Sequence, residues 1–126
     1  MNSPNNKRVL IVDDTSVMRS LLKQIIKSRG FDVVGEAGDG YQALKLFREL
    51  KPRVVCLDIE MPEMNGLDVL ARIKEEAPQT GVVMITGDSQ ASSVKKAITA
   101  GANGYIVKPF NGTRVMEAIQ KAMEDS

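Results

Sequence analysis

What most constrains this chain is a repeated switch in hydrophobic period. Four short runs, Val9-Leu10-Ile11-Val12, Val54-Val55-Cys56-Leu57, Val82-Val83-Met84-Ile85 and Tyr105-Ile106-Val107, are apolar throughout and rich in β-branched residues. Such runs read as strands buried on both faces, which requires helices above and below the sheet. The intervening stretches supply them. Val17, Met18, Leu21, Leu22, Ile25 and Ile26 recur at helical spacing, with Arg19, Lys23, Gln24 and Lys27 opposite and Gly30 as a stop. Residues 31–37 read as a further strand. Ala43, Leu44, Phe47 and Leu50 mark a second helix, which Pro52 ends. A third helix follows Gly66, with Leu67, Leu70 and Ile73 inward. A fourth covers residues 91–100, with Val94, Ala97 and Ile98 inward, and the last is marked by Val115, Ile119 and Ala122. The pattern is (βα)5: an α/β fold with a parallel sheet, helices on both faces and right-handed crossovers.

The ends of the strands carry the chemistry. The four apolar runs lead into Asp13-Asp14, Asp58, Thr86 and Lys108. In an open parallel sheet the carboxyl edge is where ligands bind. One aspartate at a strand end is ordinarily a helix cap or a turn former; Asp14 is a candidate cap for the first helix and Asp39 for the second. Capping does not account for Asp13, Asp14 and Asp58 arriving together. Three carboxylates repel one another unless a cation lies among them. Mg²⁺, with Mn²⁺ as substitute, fits two carboxylates plus a backbone carbonyl and keeps waters that a phosphoryl oxygen can displace. One carboxylate is then left as nucleophile. The Lys108 ammonium and the Thr86 hydroxyl suit the oxygens of a transferring phosphoryl group, and Lys108 is also an ion-pair candidate for Asp58.

Composition narrows the class. A chain of 126 residues is read as one domain. Lys plus Arg number 17 against 16 acids, a net charge of +1 that gives no electrostatic case for nucleic acid. No apolar run approaches the ~20 residues of a membrane span, and the polar start has no signal-peptide apolar stretch. The single cysteine excludes an internal disulfide and fits a reducing cytoplasm; Cys56 itself reads as a small buried hydrophobe. There is no histidine, which removes the Ser-His-Asp and Cys-His mechanisms. Any phosphohistidine in this chemistry must sit on a partner.

Val12-Asp13-Asp14, the run from Leu57 through Asp58, Ile59 and Glu60 to Asn65-Gly66, Thr86-Gly87, and Tyr105 with Lys108-Pro109-Phe110 together resemble a response-regulator receiver domain, in its CheY-like single-domain form. The resemblance spans residues 7–124. It implies a flavodoxin-like sheet in the order 2-1-3-4-5, a receiver over residues 7–126, a flexible tail at residues 1–6 and no output domain. It implies that Asp58 accepts a phosphoryl group from a phosphohistidine. Asp14, Asp58 and the Glu60 carbonyl would bind Mg²⁺ directly, with Asp13 acting through water. Thr86 and Lys108 would hold the phosphate, and Gly87 would leave room for it and donate its amide. The Lys108-Pro109 bond would be cis, and Tyr105 would be the switch aromatic that turns inward as Thr86 moves.

Two residues depart from the CheY-like members. Glu60 stands where they carry asparagine, adding an acid at the mouth of the site that bears on the phosphoryl lifetime, and Ile59 replaces a tryptophan. The implied partners are a sensor histidine kinase or histidine phosphotransfer protein, and an effector docking on helix four, strand five and helix five. No nucleic acid or membrane is expected, and the chain is expected to be monomeric, with dimerisation open once phosphorylated. A haloacid-dehalogenase-type phosphatase needs a second aspartate two positions after Asp13, where Thr15 stands. A flavodoxin-like flavin binder would face repulsion of its phosphate by Asp13-Asp14. A docking module without phosphotransfer would not need the retained acids, Thr86 and Lys108.

Overall fold

The computed structural model describes residues 7–125; the expected tail at residues 1–6 lies outside them. In chain order the elements are β1 (Arg8–Val12), α1 (Ser16–Ser28), β2 (Asp32–Ala37), α2 (Gly40–Leu50) and β3 (Val54–Leu57). They continue with α3 (Gly66–Glu76), β4 (Gly81–Thr86), α4 (Ala91–Thr99), β5 (Gly104–Val107) and α5 (Gly112–Glu124). All strand pairings are parallel, in the order β2-β1-β3-β4-β5. The expected (βα)5 architecture is the one observed.

Alternate residues of the central strands feed two separate cores, as a side-chain period of two dictates. Val9, Ile11, Val54, Cys56, Val83 and Ile85 pack with Leu22 and Ile26 of α1 and with Val115 and Ile119 of α5. Leu10, Val12, Val55, Leu57, Val82 and Met84 pack on the other face with residues of α2, α3 and α4. β2 is an edge strand: Asp32 is exposed and residues 33–36 are only half-buried.

Three apolar residues expected to face inward do not. Val17 is 73% exposed, Leu21 42% and Ile98 53%. At about 100° of rotation per residue, Leu21 and Val17 lie roughly 100° and 140° around α1 from the buried Leu22, and Ile98 lies about 100° from the buried Ala97 on α4. They flank the sheet-facing stripe rather than belonging to it.

Helix starts follow the expected capping chemistry with one correction. The Asp39 carboxylate accepts from the Gln42 amide at 2.8 Å, and Asn65 and Asn111 cap α3 and α5 in the same way. For α1 the cap is Thr15 and not Asp14: the Thr15 hydroxyl accepts from the Met18 amide at 3.4 Å, and Asp14 is exposed. Both residue types are good caps; the chain leaves β1 one residue later than Asp14 would need.

At the amino edge of the sheet a lysine gathers three segments. Lys74 of α3 donates to the Thr80 carbonyl at 2.7 Å and to the Asn103 side-chain oxygen at 2.9 Å. That oxygen also accepts from the Val82 amide at 2.9 Å, while the Asn103 amide donates to the Val82 carbonyl at 2.8 Å. Gly101, at φ +103°, makes the turn out of α4 and lies against the Lys74 stem. Among the described residues no helix is long and apolar enough to cross a membrane.

Burial pushes the Cys56 thiol up to about 12. The native thiol should therefore resist iodoacetamide at pH 8.5 and react only on unfolding, and stability should fall as pH rises above roughly 8.5, where the unfolded chain ionises first. Rapid labelling of the native protein would contradict this placement.

Candidate functional site

The sheet register brings the acids together. Val12 pairs with Leu57, so the residues that follow, Asp13 and Asp58, leave adjacent strands at the same level. Ladder-like bonds continue past both strand ends: the Asp13 amide donates to Ala37 and the Asp58 amide to Val12, each at 3.0 Å. Thr86 pairs with Val107 on the next strands, and the Lys108 amide donates to the Thr86 carbonyl at 2.8 Å. The peptide bond from Lys108 to Pro109 is cis.

Asp13 and Asp58 are buried, at 1% and 4% exposure, and burying a carboxylate without compensation is costly. Lys108 supplies the compensation. Its ammonium lies 2.8 Å from Asp13 Oδ2 and 3.1 Å from Asp58 Oδ2. Burial works against the lysine's charge, but the hydrogen bonds to both aspartates outweigh it and raise its pKa. The other oxygens are held by short loops. Asp13 Oδ1 accepts from the Thr15 amide at 2.9 Å and its hydroxyl at 3.1 Å, and Asp58 Oδ1 accepts from the Glu60 amide at 3.1 Å.

Asp14, outside the sheet and exposed, completes the acid group: one carboxylate oxygen from each of Asp13, Asp14 and Asp58 lies within 4.8 Å of the others. Against three carboxylates stands one ammonium. The donor set is oxygen only and open on the Asp14 side, which suits a hard divalent cation. α3 is seated directly on the site. A side chain at Gly66 would bring a Cβ to 1.9 Å from the Asp58 carbonyl oxygen, so only glycine lets α3 begin there.

The remaining expected residues surround this centre. Thr86 is fully buried, and its hydroxyl accepts from the Asp88 amide at 3.3 Å. Gly87 is exposed, and a Cβ there would lie 3.4 Å from Glu60 Oε1, so the Glu60 carboxylate leans over Gly87. Tyr105 is half-buried, its ring against the core shared by α2, α3 and α4 and its hydroxyl donating to the Asp88 carbonyl at 2.6 Å. Burial raises the Tyr105 pKa, and the negative charges of Asp88, Glu60 and Asp58 add to it.

Sequence reasoning missed three contributors. Arg19, assigned to the outer face of α1, donates to the Asp13 carbonyl at 2.7 Å and pairs with Glu36 of β2 at 3.3 Å. Thr15 closes over Asp13 as well as capping α1. Asp88 joins Thr86, Tyr105 and α4. For Thr15 the signal was present, since a threonine directly before Ser16-Val17 is a cap pattern; for Arg19 and Asp88 the partners come from other elements.

Residues 9–120 match the family model described as the response regulator receiver domain. The chain belongs to the response regulator receiver family. Among its relatives, the chemotaxis protein CheY of Thermotoga maritima is 47% identical over 115 residues, covering 91% of this receiver and 96% of that protein. A CheY-like receiver from Methanospirillum hungatei superposes with a TM-score of 0.88 at 28% identity, covering 94% of each chain. A chain of a CheX–CheY–BeF3–Mg complex from Borrelia burgdorferi gives 0.87 at 34% identity, covering 90% of this receiver and 86% of that chain.

Two outcomes follow from the charge arrangement. Lys108→Met should cost on the order of 3 kcal/mol in chelator, because it strands two buried carboxylates, and adding Asp13→Asn should recover most of the loss. Urea unfolding of the single and double variants measures both; additive losses would mean that the ion pair does not hold the site. Asp14→Asn, by contrast, should gain about 1 kcal/mol in chelator, since it relieves repulsion without removing a cap. Mg²⁺ should then raise the melting temperature of the wild type more than that of the variant.

Proposed function

We propose that this receiver accepts a phosphoryl group on Asp58 from the phosphohistidine of a sensor kinase or histidine phosphotransfer protein, and passes the signal on by a change of conformation. The observation that carries the reading is the Asp58 carboxylate itself: buried, with one oxygen fixed by the Glu60 amide and the other by Lys108, beside two further acids. Fixed in this way it is oriented for attack, since few of its own degrees of freedom remain to be lost. An oxygen of Asp58 forms the new bond to phosphorus as the phosphorus–nitrogen bond breaks, and the imidazole leaves with the electron pair. The chain has no histidine, so the donor is another protein or a small phosphodonor.

Asp14, Asp58 and the Glu60 carbonyl are the groups we assign to a Mg²⁺ ion, with Asp13 acting through water. When bound, the ion supplies positive charge against the incoming phosphoryl oxygens. Lys108, already positioned between Asp13 and Asp58, follows those oxygens once they replace the carboxylate as its partner. Thr86 and the Gly87 amide complete the phosphate's donors, and Glu60, leaning over Gly87, sets how quickly water reaches the phosphoaspartate. In this reading the receiver is not an enzyme acting on other molecules: it assists its own phosphorylation and its own return.

The output face lies on α4, β5 and α5, where Lys95, Lys96, Ile98 and Val107 are exposed around Tyr105. New phosphate contacts for Thr86 shift the population in which Tyr105 lies inward, and an effector reads the result. The CheY relatives support a place in chemotaxis signalling, and a single free, buried cysteine fits a reducing cytoplasm.

Acetyl phosphate should add one phosphoryl group to the wild type, detectable by intact mass, only when Mg²⁺ or Mn²⁺ is present. Asp58→Asn should abolish it. Equal labelling of Asp58→Asn, or full labelling in chelator, would overturn the assignment.

A further inference from the structure

α4 begins unusually for this chain. Its N-cap, Gln90, makes no side-chain capping bond, whereas the caps of α1, α2, α3 and α5 each do. Asp88, two residues before the cap, instead ties the loop to the helix start: Oδ1 accepts from the Gln90 amide at 3.0 Å and Oδ2 from the Ser93 hydroxyl at 2.6 Å. Those two bonds hold the Asp88 carboxyl below its usual range, so it is charged at neutral pH and a strong acceptor. Both of its oxygens are committed to α4.

The backbone of the same residue faces two other ways. Its amide donates to the Thr86 hydroxyl at 3.3 Å, and its carbonyl accepts the Tyr105 hydroxyl at 2.6 Å. A backbone carbonyl in a loop points at a fixed partner only if the peptide plane is fixed. Here the side chain of the residue that owns the carbonyl is what ties the loop down.

We propose that the Asp88 carboxylate, through Ser93 and the Gln90 amide, is a positioning device for Tyr105: it fastens the β4–α4 loop to α4 so that the Asp88 carbonyl holds the tyrosine ring inward before any phosphoryl group arrives. The proposal deepens the reading of Tyr105 as the switch aromatic and rests on it for its signalling consequence, but the latch itself is a property of the unphosphorylated protein. It gives Ser93, a residue outside the acid centre, control over the resting position of the switch. The resting population is thereby set partly toward the inward state, and phosphorylation completes a bias already present.

The test uses the protein's own chromophores. There is no tryptophan and there are two tyrosines, of which Tyr41 is 58% exposed. In a Tyr41→Phe background Tyr105 is therefore the sole emitter. Ser93→Ala removes one arm of the latch while keeping the Asp88 charge and placing a good helix former in α4. We expect acrylamide quenching of Tyr105 to rise roughly twofold as outward conformers gain population, with the ionisation of Tyr105 moving down toward the ordinary tyrosine range. Ser93→Thr, which keeps the hydroxyl, should restore both. Unchanged quenching and ionisation in Ser93→Ala, even with a lowered melting temperature, would reduce Asp88 to a helix cap and overturn the proposal. The same shift in Ser93→Thr would overturn it too, since the hydroxyl would not be the cause. Labelling of Asp58 by acetyl phosphate in the same variants separates the two readings: its loss in the wild type counts against the phosphoacceptor, not against the latch.

Discussion

One ammonium makes the rest of this site possible. Asp13 and Asp58 sit at the ends of the two central strands with almost no solvent, and Lys108 is the group that lets both remain there. Its placement in turn requires β5 to lie two strands from Asp58, joined to β4 in the register that sets Val107 beside Thr86. The sheet order, the β4–β5 register and the buried acids are therefore parts of one electrostatic arrangement. A buried pair of this kind contributes little net stability compared with an apolar replacement, while losing one partner is costly. In the proposed phosphotransfer its use is different: the lysine changes partners when a phosphoryl group appears.

The strands and the acid centre were legible because their signals are local and redundant. A run apolar at every position has few readings other than a two-sided buried strand, and a polar residue after each run marks the edge. The first-helix cap was misread between two adjacent residues of similar chemistry, Asp14 and Thr15. Val17, Leu21 and Ile98 were misplaced because periodicity gives a stripe but not how wide an arc the sheet covers. The Lys108–Asp13 contact joins residues 95 apart in sequence and is fixed only by tertiary register. Arg19 looked like solvent-facing charge, yet its guanidinium turns back to the Asp13 carbonyl, a partner no helical pattern records.

The loops divide their labour. The β1–α1 and β3–α3 loops are tied closely to the site: the Asp13 carboxylate is closed over by Thr15, and Gly66 lies directly against the Asp58 carbonyl, seating α3 on it. The β4–α4 loop is different. It is attached through side-chain and backbone bonds that can be exchanged singly, at Thr86, Ser93 and Tyr105. In the proposed function the closely packed loops are the ones that align the chemistry, and the singly bonded loop is the one through which the signal leaves.

The lysine at the opposite edge of the sheet gives that signal a direction. Lys74 and Asn103 bind the exit of α4 to α3 and β4 by contacts that involve none of the acids. α4 is thus a beam with a hinge at one end and a releasable catch at the other. If the catch at Asp88 released, a helix held in this way at its far end would swing rather than slide. The displacement would be largest at the start of α4, near Thr86, and would fall off along the exposed flank through Lys95 and Lys96 toward Ile98.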